Sequence, residues 1–179
     1  AEVDFFTDAN PSRESYSVYA QTTYSLADSF RIVSGLRYSE DTFTTDVTNF
    51  LNVESFQEEG TTDEITSRVV AEVDFSEDLM GYFALARGFK PGGSNLTFGF
   101  DDDNAPPMVF PTFEAETVDS VEFGLKSTFA DGAARANIAV FSYTYENLQF
   151  QATDPDIYRG GVANIPESEM SGLEIEFTG

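Results

Sequence analysis

Apolar and polar residues alternate over two long runs, from Glu114 and up to Phe150, that meet at Asp131-Gly132. Asp-Gly between such runs predicts a β-hairpin, because a type I′ turn needs positive φ at both central positions and these residues tolerate it. If Asp131 and Gly132 form the turn, Ala130 faces Ala133 and the register of the whole hairpin follows. Phe129 then pairs with Ala134, Ser127 with Ala136, Leu125 with Ile138, Phe123 with Val140 and Val121 with Ser142, an almost entirely apolar face. The other face pairs Thr128 with Arg135, Lys126 with Asn137, Gly124 with Ala139 and Glu122 with Phe141, and is mostly polar. One register satisfies both strands, which chance would rarely arrange.

The strands of this hairpin are roughly fifteen residues long, where about five or six is usual. A soluble sandwich seldom needs that length. A strand tilted across an outer membrane needs about nine to eleven residues for an apolar band about 25 Å tall, and more where it stands above the lipid. The apolar face is therefore expected to meet lipid and the polar face an interior.

The same pattern recurs along the chain. Tyr16, Val18, Ala20, Tyr24 and Leu26 alternate with polar residues; after a turn at Ala27-Asp28-Ser29, Phe30, Ile32, Leu36 and Tyr38 continue the apolar face, with Leu26 opposite Phe30. A further hairpin joins Ile65–Phe75 to Leu79–Gly88 through Ser76-Glu77-Asp78. Pairing Phe75 with Leu79 sends Gly81, Phe83 and Leu85 outward and sets Tyr82 beside Glu72 inward. Ser171–Phe177 forms a last strand, with Leu173, Ile175 and Phe177 on one side. A short strand at Val3–Phe6, loops at Asn10-Pro11-Ser12, through most of 39–64, and from Asp154 to Pro166, and a Gly/Pro/Asp-rich connection from Pro91 to Pro111 complete the reading.

Tight turns near Asp28, Glu77 and Asp131 thus recur about every fifty residues, with long loops between them. Short turns on one side and long loops on the other are the layout of bacterial outer-membrane barrels. The expected fold is all-β: an antiparallel up-and-down transmembrane β-barrel segment of about seven long strands, with short periplasmic turns and long extracellular loops. Seven strands would leave open edges of unpaired backbone in lipid, at several kcal/mol per group, so a larger barrel is expected.

Composition adjusts this picture. The chain has 179 residues, 41% hydrophobic and 15% aromatic, with 18 Phe and 8 Tyr, yet no apolar run long enough for a spanning helix. Its 32 acidic and 9 basic residues give a net charge of −23, which repels nucleic acid. Dense aromatic and β-branched content argues against disorder despite that charge. Ala1-Glu2-Val3-Asp4 lacks the basic start and apolar core of a signal peptide, so the chain begins as if cut from something longer.

Ala86-Arg87-Gly88-Phe89-Lys90-Pro91-Gly92-Gly93-Ser94-Asn95 resembles a strand ending common in the β-barrels of TonB-dependent outer-membrane receptors. The run Glu114-Ala115-Glu116-Thr117-Val118-Asp119, leading to Glu122-Phe123-Gly124-Leu125-Lys126-Ser127, is similar to a recurring strand of that family. Ala139-Val140-Phe141 and Gly172-Leu173-Glu174-Ile175-Glu176 match its later strands. The resemblance implies a place in the cell outer membrane of a Gram-negative bacterium, in a barrel of about 22 strands with a plugged lumen. It implies active uptake of a scarce large solute, siderophore-, cobalamin- or carbohydrate-like, with an inner-membrane energy-coupling complex acting on the plug. Residues 1–179 would then be part of the barrel domain, with the plug domain and remaining strands supplied by the parent protein. Partners so implied are outer-membrane lipid, the plug, the other strands and the coupling complex.

Candidate chemistry is sparse. With no histidine and no cysteine, serine–histidine and cysteine–histidine nucleophile systems cannot be assembled, and neither an enzyme nor a cofactor is expected. Asp101-Asp102-Asp103 lacks the spaced acids and closing Glu of a calcium loop, so a solvated loop is the better reading and no metal site is assigned. Gly88, Gly92 and Gly93 read as turn residues, not a phosphate cradle. Arg31, Glu72 and Asp74 face inward, as a solvated lining in preference to lumen salt bridges. Arg87, Phe89 and Lys90 near one outer strand end, and Tyr145 and Gln149 near another, are the candidate ligand contacts, each with a structural reading beside it. Two alternatives remain: a soluble or surface-layer structural or adhesive β-protein, and a passive porin-like barrel. The first requires Phe123, Leu125, Ile138 and Val140 to be sealed in a compact core.

Overall fold

A computed structural model describes residues 7–49, 54–95, 112–154 and 159–179. The described residues form nine strands: β1 (Thr7–Ala27), β2 (Phe30–Asn49), β3 (Glu54–Ser76), β4 (Leu79–Lys90), β5 (Gly93–Ser94), β6 (Thr112–Phe113), β7 (Glu116–Phe129), β8 (Ala134–Asp154) and β9 (Arg159–Thr178). Seven of them make one antiparallel sheet in the order β1-β2-β3-β4-β7-β8-β9, and β5 pairs with β6 as a separate two-stranded unit. The sheet is an up-and-down meander whose barrel is not closed within this chain.

The central hairpin has the register its sequence specifies, from Phe129 opposite Ala134 to Val121 opposite Ser142. Asp131 and Gly132 take φ of 55° and 87°, and the Ala133 N–H donates to the Ala130 carbonyl at 3.1 Å. Ala130 also has positive φ, at 54°, so the turn strains one residue more than a type I′ turn requires. The other two tight turns share a device. Ser25 opposite Arg31 and Asp74 opposite Met80 follow the expected registers, but Ala27 pairs with Phe30 and Ser76 with Leu79. Each ladder therefore skips one residue, Leu26 or Phe75, a bulge that leaves a two-residue turn.

Several expected loops are strands. Asn10, Pro11 and Ser12 lie within β1, and nearly all of 39–64 is the β2–β3 hairpin, running from Ser39 opposite Glu64 to Asn49 opposite Glu54. The stretch before Pro166 belongs to β9, whose ladder with β8 reaches Arg159 opposite Asp154. High in the sheet both faces are wet, so alternation vanishes and only Thr-rich β-propensity marks a strand. Pro11 and Pro166 sit in the outermost strands of the sheet, where a missing N–H is tolerated. Val3–Phe6 and Asp101–Asp103 lie outside the described residues.

Among the described residues no soluble core forms: Val47, Val70 and Ala163 are the buried hydrophobics, and none of the largest side chains is fully buried. Phe123, Val140 and Ile138 are 53%, 54% and 43% exposed, Leu125 is half-buried, and Leu36, Ile65, Phe83, Leu173 and Ile175 share their face. Bare side chains of this size on one face of a single-layer sheet are what lipid contact requires and what an aqueous sandwich cannot leave unpacked. The soluble alternative, with its apolar faces packed together, is thereby overturned.

Candidate functional site on the polar face

The pleat sends every second residue of each strand to the opposite face. There Arg31 holds two carboxylates: its Nε lies 2.5 Å from Glu72 and Nη1 2.6 Å from Asp74. These are lumen salt bridges, not the independently solvated lining expected from sequence. The correction follows from register, since Arg31 stands directly opposite Glu72. Farther along the sheet Tyr82 Oη donates to Glu122 Oε1 at 2.6 Å, Lys126 Nζ lies 5.2 Å from the Tyr82 ring centroid, and Phe141 stacks on Tyr143 at 4.8 Å.

Three aromatic rings on this face lie over glycines directly opposite them: Phe43 over Gly60, Tyr82 over Gly124 and Phe141 over Gly172. A Cβ at Gly172 would come within 2.6 Å of the Phe141 ring, and one at Gly60 or Gly124 would collide with the facing ring as well. Glycine here is a seat for an aromatic side chain.

At the long-loop end β4 stops at Lys90 while its neighbour β3 continues, and the chain leaves the sheet. The segment Pro91–Asn95 and its returning partner Thr112–Ala115 form a strap across the polar face. One side is held by Arg13, whose guanidinium donates to the Gly92 carbonyl at 2.5 Å and lies 3.2 Å from Asp41, a buried carboxylate that also accepts from Ser15. On the other side the Asn95 amide bonds both backbone groups of Val162, at 2.7 and 2.8 Å. Asn164 Oδ1 accepts from Glu114 N at 2.8 Å, and its Nδ2 donates to the Glu114 and Asn147 carbonyls at 3.0 and 2.8 Å. Gln149 completes the clasp, with Nε2 reaching the Pro91 and Glu114 carbonyls at 3.0 Å and that of Lys90 at 3.3 Å.

The five candidate contacts divide accordingly. Lys90, opposite Glu116, and Gln149 meet at the strap, and Tyr145, opposite Val118, shares their face but stands apart. Arg87 and Phe89 fall on the alternation of Phe83 and Leu85. Arg87 pairs with Asp119 at 2.7 Å and lies 3.6 Å from Glu64. Sequence reasoning missed Arg13, Asp41, Asn95 and Asn164, because their partners lie far along the chain and no spacing announces them.

An antiparallel meander with one bare apolar face, one polar face and tight turns at one end is a stretch of outer-membrane β-barrel. The chain belongs to the family described as TonB dependent receptor-like, beta-barrel, whose model matches residues 3–179. It is 28% identical over 172 residues to the pesticin receptor of Yersinia enterocolitica, a match covering 91% of this chain and 23% of that one. Among solved structures, it is similar to the ferric yersiniabactin uptake receptor FyuA from Yersinia pestis, with TM-score 0.74, 22% identity, and coverage of 96% of this chain and 25% of that one. It is also similar to the siderophore receptor PiuA from Acinetobacter baumannii, with TM-score 0.72, 21% identity, and coverage of 95% and 23%. The chain thus spans about a quarter of the length of these relatives.

Proposed function

We propose that this chain is part of an outer-membrane active transporter that takes up a scarce large solute of the siderophore class. Its parent protein supplies the plug domain and the remaining strands, and an inner-membrane complex supplies the energy. The observation that carries this reading is the strap: a loop base fastened across the polar face at the long-loop end, where an incoming solute would be met. The chain's likeness to FyuA, a ferric yersiniabactin uptake receptor, and to PiuA, a siderophore receptor, supports the solute class. A porin-like channel would have no use for an energy-coupled plug, and family membership favours the coupled transporter.

Among the candidate ligand contacts, Lys90 and Tyr145 stand on the polar face and are the better placed to meet the solute. Gln149 spends its amide on the strap and acts as a positioning residue. Arg87 and Phe89 belong to the outer rim. The test is growth of a strain lacking the parent gene under iron limitation, with ferric siderophores of different chemistry supplied singly. Loss of growth on one siderophore, restored by the wild-type gene, is the expected result. Unchanged growth and uptake on every chelate would overturn the solute class.

A further inference from the structure

The strap is fastened unequally. Toward β8 and β9 it is held by three amide side chains: Asn95 bonds both backbone groups of Val162, Asn164 both those of Glu114, and Gln149 reaches the Pro91 and Glu114 carbonyls. Toward β1 and β2, among the described residues, one hydrogen-bonding side chain carries it: Arg13, through the Gly92 carbonyl. The same guanidinium turns its Nε to Asp41 Oδ1 at 3.2 Å, while Asp41 Oδ2 accepts from Ser15. Asp41 Oδ1 is buried and accepts no hydrogen bond among the described residues, so its attraction for Arg13 fixes where the guanidinium fork points.

The part of β8 and β9 that holds the strap is itself weakly joined to the sheet below. The β7–β8 ladder ends at Thr117 opposite Glu146, so from Asn147 upward β8 pairs, among the described residues, with β9 alone. The next rung of the β8–β9 ladder, Asn147 opposite Pro166, is missing between Glu146–Glu167 and Leu148–Ile165. Asn147 takes a left-handed φ of 54°, and Pro166 has no N–H to offer. At this one level β8 loses its neighbour on one side and a rung on the other. Above it the ladder resumes, from Leu148 opposite Ile165 to Asp154 opposite Arg159. Asn164 donates to the Asn147 carbonyl at 2.8 Å and Glu116 accepts from the Gln149 N–H at 2.7 Å, side-chain tethers that can follow a tilt where a backbone rung cannot.

We propose that the strap and the upper β8–β9 ladder form one leaf, hinged at the missing Asn147–Pro166 rung and latched to β1 and β2 by Arg13. Breaking the Arg13–Gly92 bond frees the leaf to tilt, and the three amides carry the strap along with the ladder. The inference concerns the wall itself and holds for any solute. It is tested on the full-length parent receptor in lipid nanodiscs, with nitroxide pairs read by pulsed dipolar electron paramagnetic resonance. Gln151 with Glu59 spans the latch, Gln151 with Thr112 lies inside the leaf, and Glu169 with Glu59 lies below the hinge; all four positions are exposed. In R13A the Gln151–Glu59 distance distribution should at least double in width, while the other two pairs keep their wild-type widths. Should R13A fail to assemble, R13K decides by the same distances, since lysine leaves Asp41 a cation but lacks the fork that also holds Gly92. Broadening of the Gln151–Thr112 pair would mean that the strap peels off the ladder, and broadening of Glu169–Glu59 that the whole wall moves. Either result, or a Gln151–Glu59 width unchanged in the deciding variant, overturns the proposal.

Discussion

Tyr82 lies across Gly124, its direct partner in the next strand, and anchors its hydroxyl on Glu122 at 2.6 Å. Ring and glycine form one unit, because no Cβ fits beneath the ring. Gly124→Ala should displace Tyr82, break its bond to Glu122 and destabilise the parent barrel by about 1–3 kcal/mol. Gly35→Ala on the same face meets only ordinary contacts and should stay within about 0.5 kcal/mol of wild type. Urea unfolding of the two variants side by side checks the contrast, and equal losses would refute it.

Arg13 neutralises Asp41, whose side chain is 8% exposed, while reaching the strap through the Gly92 carbonyl. Arg13→Ala leaves a buried carboxylate without its cation. The expected cost is about 2 kcal/mol, at the low end for such pairs because Arg13 itself is half-exposed. Adding Asp41→Leu should recover part of that loss, read as the unfolding midpoint of the double variant against the single one.

Gln149→Ala removes the amide that donates to Pro91 and Glu114. Backbone amide exchange in 92–95 and 112–115 should speed up by roughly thirtyfold, consistent with about 1 kcal/mol for each of the two lost bonds. The β7–β8 ladder should keep its protection. Uniform acceleration across both regions would instead mean that the whole sheet had loosened.

Phe123 and Val140 face one another on the apolar side. Val140→Arg should cost about 2–4 kcal/mol for refolding into bilayers if this position lies near the midplane, whereas Asn137→Arg on the polar side should cost far less. Equal costs on both sides would contradict the assignment of faces.

The hairpin registers were legible because alternation and turn chemistry agree in the membrane band: Asp131-Gly132 fixes one pairing, and Val121 through Phe129 can obey it on only one side. The upper halves of β2, β3, β8 and β9 were not, since residues such as Thr44, Thr45, Glu58 and Glu59 are polar on both faces and give no period to read. The bulges at Leu26 and Phe75 were hidden for a different reason. Sliding the turn by one residue leaves the rest of the ladder unchanged, so the apolar pattern is the same with or without them. The strap was invisible because its fastenings join Arg13 to Gly92 and Asn95 to Val162, pairings that only the folded sheet brings together.

β4 and β7 have 12 and 14 residues, whereas β3 and β8 on either side of them have 23 and 21. The wall therefore has a notch, and the backbone passes inward through it. Asn95 and the Gly93–Thr112 pair of strands are fastened to the polar face apart from the main ladder, so no rung of that ladder depends on them. Substitution in the strap can leave the membrane-spanning fabric as it is.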